Sequence, residues 1–490
     1  MTVHFPFDNS YARLPDQFFE RVPPAISPAP TLIRVNRGLA AALGLDADAL
    51  ESPEGLEILS GQRLAEGSEP IAMAYAGHQF GNFVPQLGDG RAVLLGELVD
   101  THGHRKDIQL KGGGRTPFSR GGDGRAVLGP VLREYVVSEA IAALGIPTTR
   151  ALAAVMTGEK VMRDALLPGA VLTRVASSHI RVGTFQYFAA RQDIEALQTL
   201  TRYVIDRHYP DAAAQESPPR ALLDAVITAQ ANLVANWLLV GFIHGVMNTD
   251  NTSVSGETID YGPCAFLDAY DPATVFSSID RGSRYAYGNQ PQIMQWNLTR
   301  LAETLLPLLA DEEEAAIAQA QEALASFAPQ FEHAYHSGLM RKLGLFTAQE
   351  GDLELARDLL SGMTQNQVDF TLFFRRLSDA EMPGNDEPIR GLFIDPTVCG
   401  QLLARWRERI GQEPAEGSRR DMMRLVNPAY IPRNHRIEAM IKSAVEDGDF
   451  APFEELLAVL AKPYDDQPER AHYMDPPQEH ERVRATFCGT

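Results

Sequence analysis

The sequence predicts an α+β fold in which strands come first and helices follow. Three observations carry that prediction. Apolar or alternating runs at residues 92–99, 107–110, 151–156 and 170–175 have the length and character of strands. A single helical pattern lies among them, at about 130–144, with Val131, Tyr135, Ser138 and Ala142 along one side and Gly145 and Pro147 ending it. Beyond about residue 190 the periodicity turns helical, at 194–207, 222–243, 301–310 and 312–327. A small sheet carrying one helix, followed by a helical body, is a two-lobed arrangement.

Taken in order, residues 1–70 are Pro-rich at first and then helical around 32–50, and they read as an N-terminal extension laid on a larger body. The strands at 92–99 and 107–110 flank a turn at His102-Gly103, and the second ends at Lys111, where Gly112, Gly113 and Gly114 stop it. Residues 71–178 form the strand-rich lobe and residues 179–345 the helical lobe. Residues 346–462 extend the helical part, and the segment from 463 to 490, rich in Pro, Asp, Glu and Arg, reads as an extended tail.

Composition narrows the function classes. The chain has 490 residues, of which 44% are hydrophobic, enough for a large core and too many for a disordered chain. A net charge of -20 argues against general affinity for nucleic acid or for an anionic membrane. The three cysteines, Cys264, Cys399 and Cys488, make no C-x-x-C pair, which excludes a structural zinc site of that kind, and they are too few for a disulfide scaffold. The first residues lack a cationic start and a long apolar stretch, and the most apolar run, 233–246, is broken by Asn236 and His244. A buried helix rather than a membrane span is expected there, and a cytoplasmic setting overall.

The chemistry concentrates at residues 244–251 (HGVMNTDN) and at Asp260-Tyr261-Gly262. His244 and Asn251 have the spacing of a kinase catalytic loop, H-x-D-x-x-x-x-N, and Asp260-Tyr261-Gly262 resembles the D-F-G metal motif. Val246 stands where a kinase keeps its catalytic Asp. The metal-holding half of a phosphoryl-transfer site is thus present without the usual base. The spacing, with the order of elements, predicts a kinase-like two-lobed fold.

Upstream, Gly88 and Gly90 in QLGDGR, residues 86–91, suit close approach of backbone N–H groups to phosphate. Lys111 at a strand end and Glu134 on the next helix have the order of the kinase Lys–Glu pair. Seven basic residues between Arg105 and Arg133, opposed only by Asp107 and Asp123, suggest a place where a polyanion such as a triphosphate collects. Arg174 and Arg181 flank Ser177-Ser178-His179 and offer forked donors that match phosphate. Asn251 and Asp260 supply an amide oxygen and a carboxylate for a hard divalent cation such as magnesium. Asp250 is the nearest carboxylate able to act as base. His244 is expected to hold loop backbone.

Several stretches then resemble one family. They are NSYARLP at 9–15, YAGHQFGNFVPQLGDGR at 75–91, QLKGGGRTP at 109–117, HGVMNTDN at 244–251, DYGP at 260–263, Asn427-Pro428 and Arg433-Asn434. Spread over nearly the whole chain, they are similar to the selenoprotein O family of protein adenylyltransferases, also called YdiU in bacteria. The resemblance implies that ATP binds a kinase-like fold upside-down, γ-phosphate inward, and that AMP passes to a protein Ser, Thr or Tyr hydroxyl as pyrophosphate leaves. UMP transfer with manganese is implied for some members. It also implies nucleotide contacts at Gly88, Gly90, Arg91, Lys111, Asp123, Gly124, Arg174, Arg181 and Asp260, metal ligation by Asn251 and Asp260, and proton acceptance by Asp250. Glu134 supports Lys111. A redox link from Cys488 to the catalytic lobe is implied as well, with Cys264 one candidate partner, while unpaired thiols are the expectation for Cys264 and Cys399. Transfer of the γ-phosphoryl group by a kinase is the competing reading, and a non-catalytic pseudokinase that binds partners is the third.

Overall fold

In a computed structural model, which describes residues 3–382, 384–414 and 417–487, the strands precede most of the helices. In chain order they are β1 (Phe19–Arg21), β2 (Thr31–Val35), β3 (Ile71–Met73), β4 (Gly77–Gln79), β5 (Asn82–Val84), β6 (Ala92–Val99), β7 (Arg105–Lys111), β8 (Ala126–Val127), β9 (Arg150–Met162) and β10 (Leu166–Ala176). Eight of them form one sheet in the order β1-β3-β6-β7-β10-β9-β2, with β8 added on β10. Its pairings are antiparallel. β4 and β5 make a separate hairpin, and two further short strands, β11 (Phe242–Ile243) and β12 (Ala265–Phe266), pair with each other among the helices.

Alternation along the strands decides what each face carries. On β7, Ile108 and Leu110 turn to one side, and Gln109 and Lys111 to the other. The Ile108 side, with Leu98, Leu152, Val155 and Val175, is covered by Leu39, Leu43, Leu50, Ile58 and Leu59 from the N-terminal 70 residues. The opposite side meets the Leu128–Ala143 helix through Leu132, Val136 and Ala140. Gln109 on β7 stands directly across from Arg174 on β10, so a polar row runs along the face that carries this helix.

Two expectations shift. The helix predicted around 32–50 starts only at Arg37, because Thr31–Val35 joins the sheet edge beside β9 and Asn36 caps the helix that follows. The strands predicted at 151–156 and 170–175 run on as a long hairpin, Arg150–Met162 with Leu166–Ala176, whose outer residues satisfy each other's backbone groups instead of a third strand's.

Helices dominate the remainder. Pro218–Val240 is long and apolar enough to cross a bilayer, yet it lies in the main core with Leu223, Ile227 and Val234 fully buried. It ends at Gly241, whose φ of 78° is the left-handed turn that a helix stop commonly requires. Gln290–Leu309 packs against it. A second core unites Asp352–Gln365, Phe370–Leu377 and Pro396–Ile410. The last described residues return to the body: Thr486 pairs with Ser277, and its hydroxyl donates to the Pro263 carbonyl at 2.7 Å. Cys264 and Cys399 are buried free thiols, and Cys488 lies outside the described residues.

Within the second core Lys342 is only 3% exposed, its Nζ 4.4 Å from the centre of the Phe374 ring and 5.5 Å from that of Phe370. Burial pulls its ammonium down to about 7. A buried amine whose folded pKa is depressed costs most stability at and below pH 7, and the cost fades as pH rises toward the unfolded value. Lys342→Met is therefore expected to stabilise the chain by on the order of 2–4 kcal/mol near pH 7, and by progressively less toward pH 10, in urea unfolding followed across that range. A difference that does not change with pH would show that the amine stays charged.

Candidate active site

Asp260 is the centre on which the site closes. It follows the buried Ile259 and has a φ of 67°, a left-handed conformation uncommon for a residue with a side chain. Its carboxylate receives three cations. Lys111 Nζ donates to Oδ1 at 2.7 Å, Arg174 to Oδ1 at 2.6 Å and Arg181 to Oδ2 at 2.7 Å. Each comes from a different element: Lys111 ends β7, Arg174 lies on β10, and Arg181 caps the Val182–Ala189 helix. Burial alone would raise the Asp260 carboxyl, but Lys111, Arg174 and Arg181 outweigh it and hold it well below the usual carboxylate range.

Glu134 completes the cluster. It accepts from Lys111 at 2.6 Å and lies 3.3 Å from the Arg174 guanidinium, so the pairing expected from order along the chain is present. Gln109 holds Arg174 from the other side, accepting from Nη2 at 2.7 Å and Nε at 3.2 Å. Arg181 donates to the Asp250 carbonyl at 2.6 Å and rests 4.6 Å over the Tyr75 ring. Its Nε has no hydrogen-bond partner although the residue is only 3% exposed.

Asp250 is governed by different forces. It sits in the short 3-10 turn Thr249–Asn251 and is 7% exposed. Oδ2 accepts from Gln79 at 3.2 Å, and Oδ1 has no partner. Burial pushes its carboxyl up to about 6 despite Gln79 and Arg181, which pull the other way. The β4–β5 hairpin holds this turn: His78 N–H donates to Thr249 Oγ1 at 2.7 Å and Phe80 N–H to Asn248 Oδ1 at 3.0 Å. Thr249 in turn donates to Gln186 Oε1 at 2.6 Å, and the Gln186 amide meets His78 Nδ1 at 2.8 Å. Gly77 permits the contact, since a Cβ there would stand 2.7 Å from Asp250 Oδ1.

The loop before Asp260 is tied by His244, whose Nε2 meets the Ile259 carbonyl at 2.9 Å while its N–H donates to Gln290 at 3.0 Å. Asn251 donates its amide to the Val246 carbonyl at 2.9 Å, so the donor end is committed to the protein. Among the described residues no group of three or more His, Cys, Asp or Glu could hold a metal ion. By chemistry alone, one amide oxygen from Asn251 and one carboxylate from Asp260 fit a hard divalent cation only if nucleotide phosphates and water supply the other ligands.

Other expected residues lie differently. The N–H groups of Gly88 and Gly90 donate to the carbonyls of Tyr75 and Gly88, so the anion nest expected there is not formed by those donors. What the glycines provide is room: a Cβ at Gly88 would stand 2.3 Å from the Phe118 ring, and one at Gly90 2.9 Å from the Phe118 carbonyl. Arg91 lies just before β6, its carbonyl accepting from Gly112 at 2.7 Å. Asp123 is bonded to Arg163 at 2.7 Å rather than to the Asp260 cluster. Gly124, with a φ of 69°, crosses Gly114, where a Cβ would stand 2.2 Å from the backbone.

The basic run from Arg105 to Arg133 does not gather either. Arg105 pairs with Asp8, Arg125 with Glu159 and Arg133 with Glu438, and of the seven Lys111 alone has a hydrogen bond to Asp260. No spacing in the sequence marks Gln79, Gly77 or Gln186 as parts of the site. Gln79 and Asp250 are 171 positions apart.

Asp260→Asn should cost about 3–5 kcal/mol in urea unfolding, because two buried arginines and a lysine lose their shared counter-ion. A loss under about 0.5 kcal/mol, the usual range for a surface substitution, would mean the cations are not held as described. Gly77→Ala should cost about 1–3 kcal/mol by overpacking against Asp250, and an unchanged melting temperature would refute that contact.

Comparisons with known proteins agree with one another. The family model for the protein adenylyltransferase SelO matches residues 2–461. Protein nucleotidyltransferase YdiU of a Bradyrhizobium species is 68% identical over 491 residues, covering all of both chains. Proteins of the same name from Methylorubrum extorquens and Rhodopseudomonas palustris are 66% and 65% identical, again end to end. With a family model spanning nearly the whole chain and relatives alike over about two thirds of positions, the chain belongs to the SelO family of protein adenylyltransferases.

Proposed function

We propose that this chain transfers AMP from ATP to a Ser, Thr or Tyr hydroxyl of a protein, releasing pyrophosphate, with ATP held γ-phosphate inward. The observation that carries this reading is the convergence of Lys111, Arg174 and Arg181 on one carboxylate, with Arg174 and Arg181 almost fully buried. Buried cations favour the most highly charged end of a ligand, because the attraction that offsets desolvation grows with the ligand's charge. The outer phosphates of ATP are that end. The unpartnered Nε of Arg181 adds a donor that a phosphate oxygen would satisfy.

With the outer phosphates held, the α-phosphorus lies toward Asp250. The acceptor oxygen forms a bond to that phosphorus, the bond to the α–β bridging oxygen breaks, and pyrophosphate departs with the electron pair. Asp250 takes the hydroxyl proton, and Gln79 and the β4–β5 hairpin hold it in place. Asn251 and Asp260 would hold magnesium or manganese, which offsets charge on the phosphates when bound. The trio reads phosphate and not base, so UTP and UMP transfer fit the same contacts. Glu134 keeps Lys111 aimed, and Gly88, Gly90, Arg91, Asp123 and Gly124 belong to the loops that would border the nucleotide.

The same reading makes the sheet with its helix, residues 71–178, and the helical residues 179–345 the two lobes of a kinase-like fold. Residues 1–70, 346–462 and 463–490 are then additions, and the setting is cytoplasmic.

ATP labelled at the α-phosphate should label protein, and ATP labelled at the γ-phosphate should not; the reverse pattern would identify a kinase. Asp260→Ala and Asp250→Asn should each reduce labelling at least about a hundredfold. Lys111→Ala should weaken it too, and an unchanged rate would remove Lys111 from the site.

A further inference from the structure

Asp89 lies behind the cation cluster, between Gly88 and Gly90, and is only 2% exposed. Its Oδ2 accepts twice, from the Met73 N–H at 3.1 Å and from Gln109 Nε2 at 3.2 Å. Its Oδ1 faces Arg181 Nη2 at 4.0 Å. With donors on one oxygen and a guanidinium facing the other, these neighbours favour the ionised form. Burial opposes it by raising the carboxyl, and Arg181 is the strongest of the charges that pull it back.

Gln109 extends the reach of this carboxylate. A carboxylate only accepts and a guanidinium only donates, so the buried Gln109 amide has one useful orientation. Nε2 points to Asp89, and Oε1 takes Arg174 Nη2 at 2.7 Å and Nε at 3.2 Å. Asp89 therefore acts on Arg181 directly and on Arg174 through one amide.

Holding the loop does not require that charge. The Asp89 N–H donates to the Met73 carbonyl at 2.9 Å, and the Asp89 carbonyl accepts from Thr116 Oγ1 at 2.7 Å. An asparagine could accept from Met73 and Gln109 through its own oxygen. What a neutral side chain could not do is compensate two buried guanidinium groups, and a buried charge without such a task is costly.

We propose that Asp89 is the resident counter-ion of Arg181 and Arg174, and that it sets how tightly the cluster grips the outer phosphates and the departing pyrophosphate. The inference rests on those phosphates meeting these arginines, as in the function proposed above. Asp89 and a phosphate have like charge and share the same cations. The carboxylate thus steadies the arginines when the site is empty and weakens their hold when it is filled, which favours release of product.

Calorimetric titration of the full chain with inorganic pyrophosphate, magnesium present throughout, tests this. Asp89→Asn should bind pyrophosphate about tenfold more tightly than the unaltered chain, and the KM for ATP should fall in the same direction. The empty Asp89→Asn chain should melt earlier, with saturating pyrophosphate narrowing the difference. Asp89→Ser, neutral and smaller, carries the same expectation and takes its place should the Asn chain not fold. Unchanged or weaker pyrophosphate affinity in the neutral variant overturns the proposal, because a side chain that only fixed the loop would give that result. Binding by the unaltered chain without a gain in the variant sinks this inference alone. Failure of both chains to bind pyrophosphate sinks the reading of the Asp260 site and this inference with it.

Discussion

Lys111, Arg174 and Arg181 reach one carboxylate from three separate elements, and the remaining architecture of the site follows from accommodating them. Removing cations from water costs several kcal/mol per ion unless partners are placed to receive them. Asp260 receives all three, Glu134 takes a share of Lys111 and Arg174, and Gln109 steadies Arg174. The left-handed backbone at Asp260 is tolerated because so many contacts specify where its side chain must be. The cluster is internally neutralised on one side and short of acceptors on the other, as the unpartnered Arg181 Nε shows. In the reaction proposed above, the outer phosphates of ATP would supply the missing acceptors.

Two aspartates ten positions apart are driven in opposite directions by their surroundings. Cations overcome burial at Asp260 and keep it ionised. At Asp250 burial prevails, and its carboxyl is pushed up to about 6. Carboxylates separated in this way can hold different tasks within one site, one as a fixed anion and one as a proton acceptor. The separation depends on the β4–β5 hairpin, which shields Asp250, supplies Gln79, and needs Gly77 so that it can come close enough.

Much of this arrangement is legible in the sequence. Strand alternation at 105–111 puts Lys111 and Gln109 on one face, and the helix after it carries Glu134 at a distance along the chain that matches the pair observed. His244 ties the loop as its spacing suggests. Charge density misleads. The basic run from Arg105 to Arg133 reads as one anion site, yet most of its members with a partner face acidic residues elsewhere, because consecutive positions on strands and loops point in different directions. The glycines at 88 and 90 also read as a phosphate nest, while their backbone donors are spent and their missing side chains make room for Phe118.

What the chain determined on its own is local and periodic: strands before helices, the Lys111–Glu134 order, the His244-to-Asn251 spacing and the motifs that tie it to its family. Backbone hydrogen bonding imposes periods of about 2 and 3.6 residues, so such features can be read within a window of a few residues. Which charges meet was decided only by tertiary structure. Arg174 and Arg181 could have been surface residues, and nothing in the spacing joins Gln79 to Asp250. Those encounters depend on how the sheet, the hairpin and the helices pack, and packing is set by contacts between residues far apart along the chain.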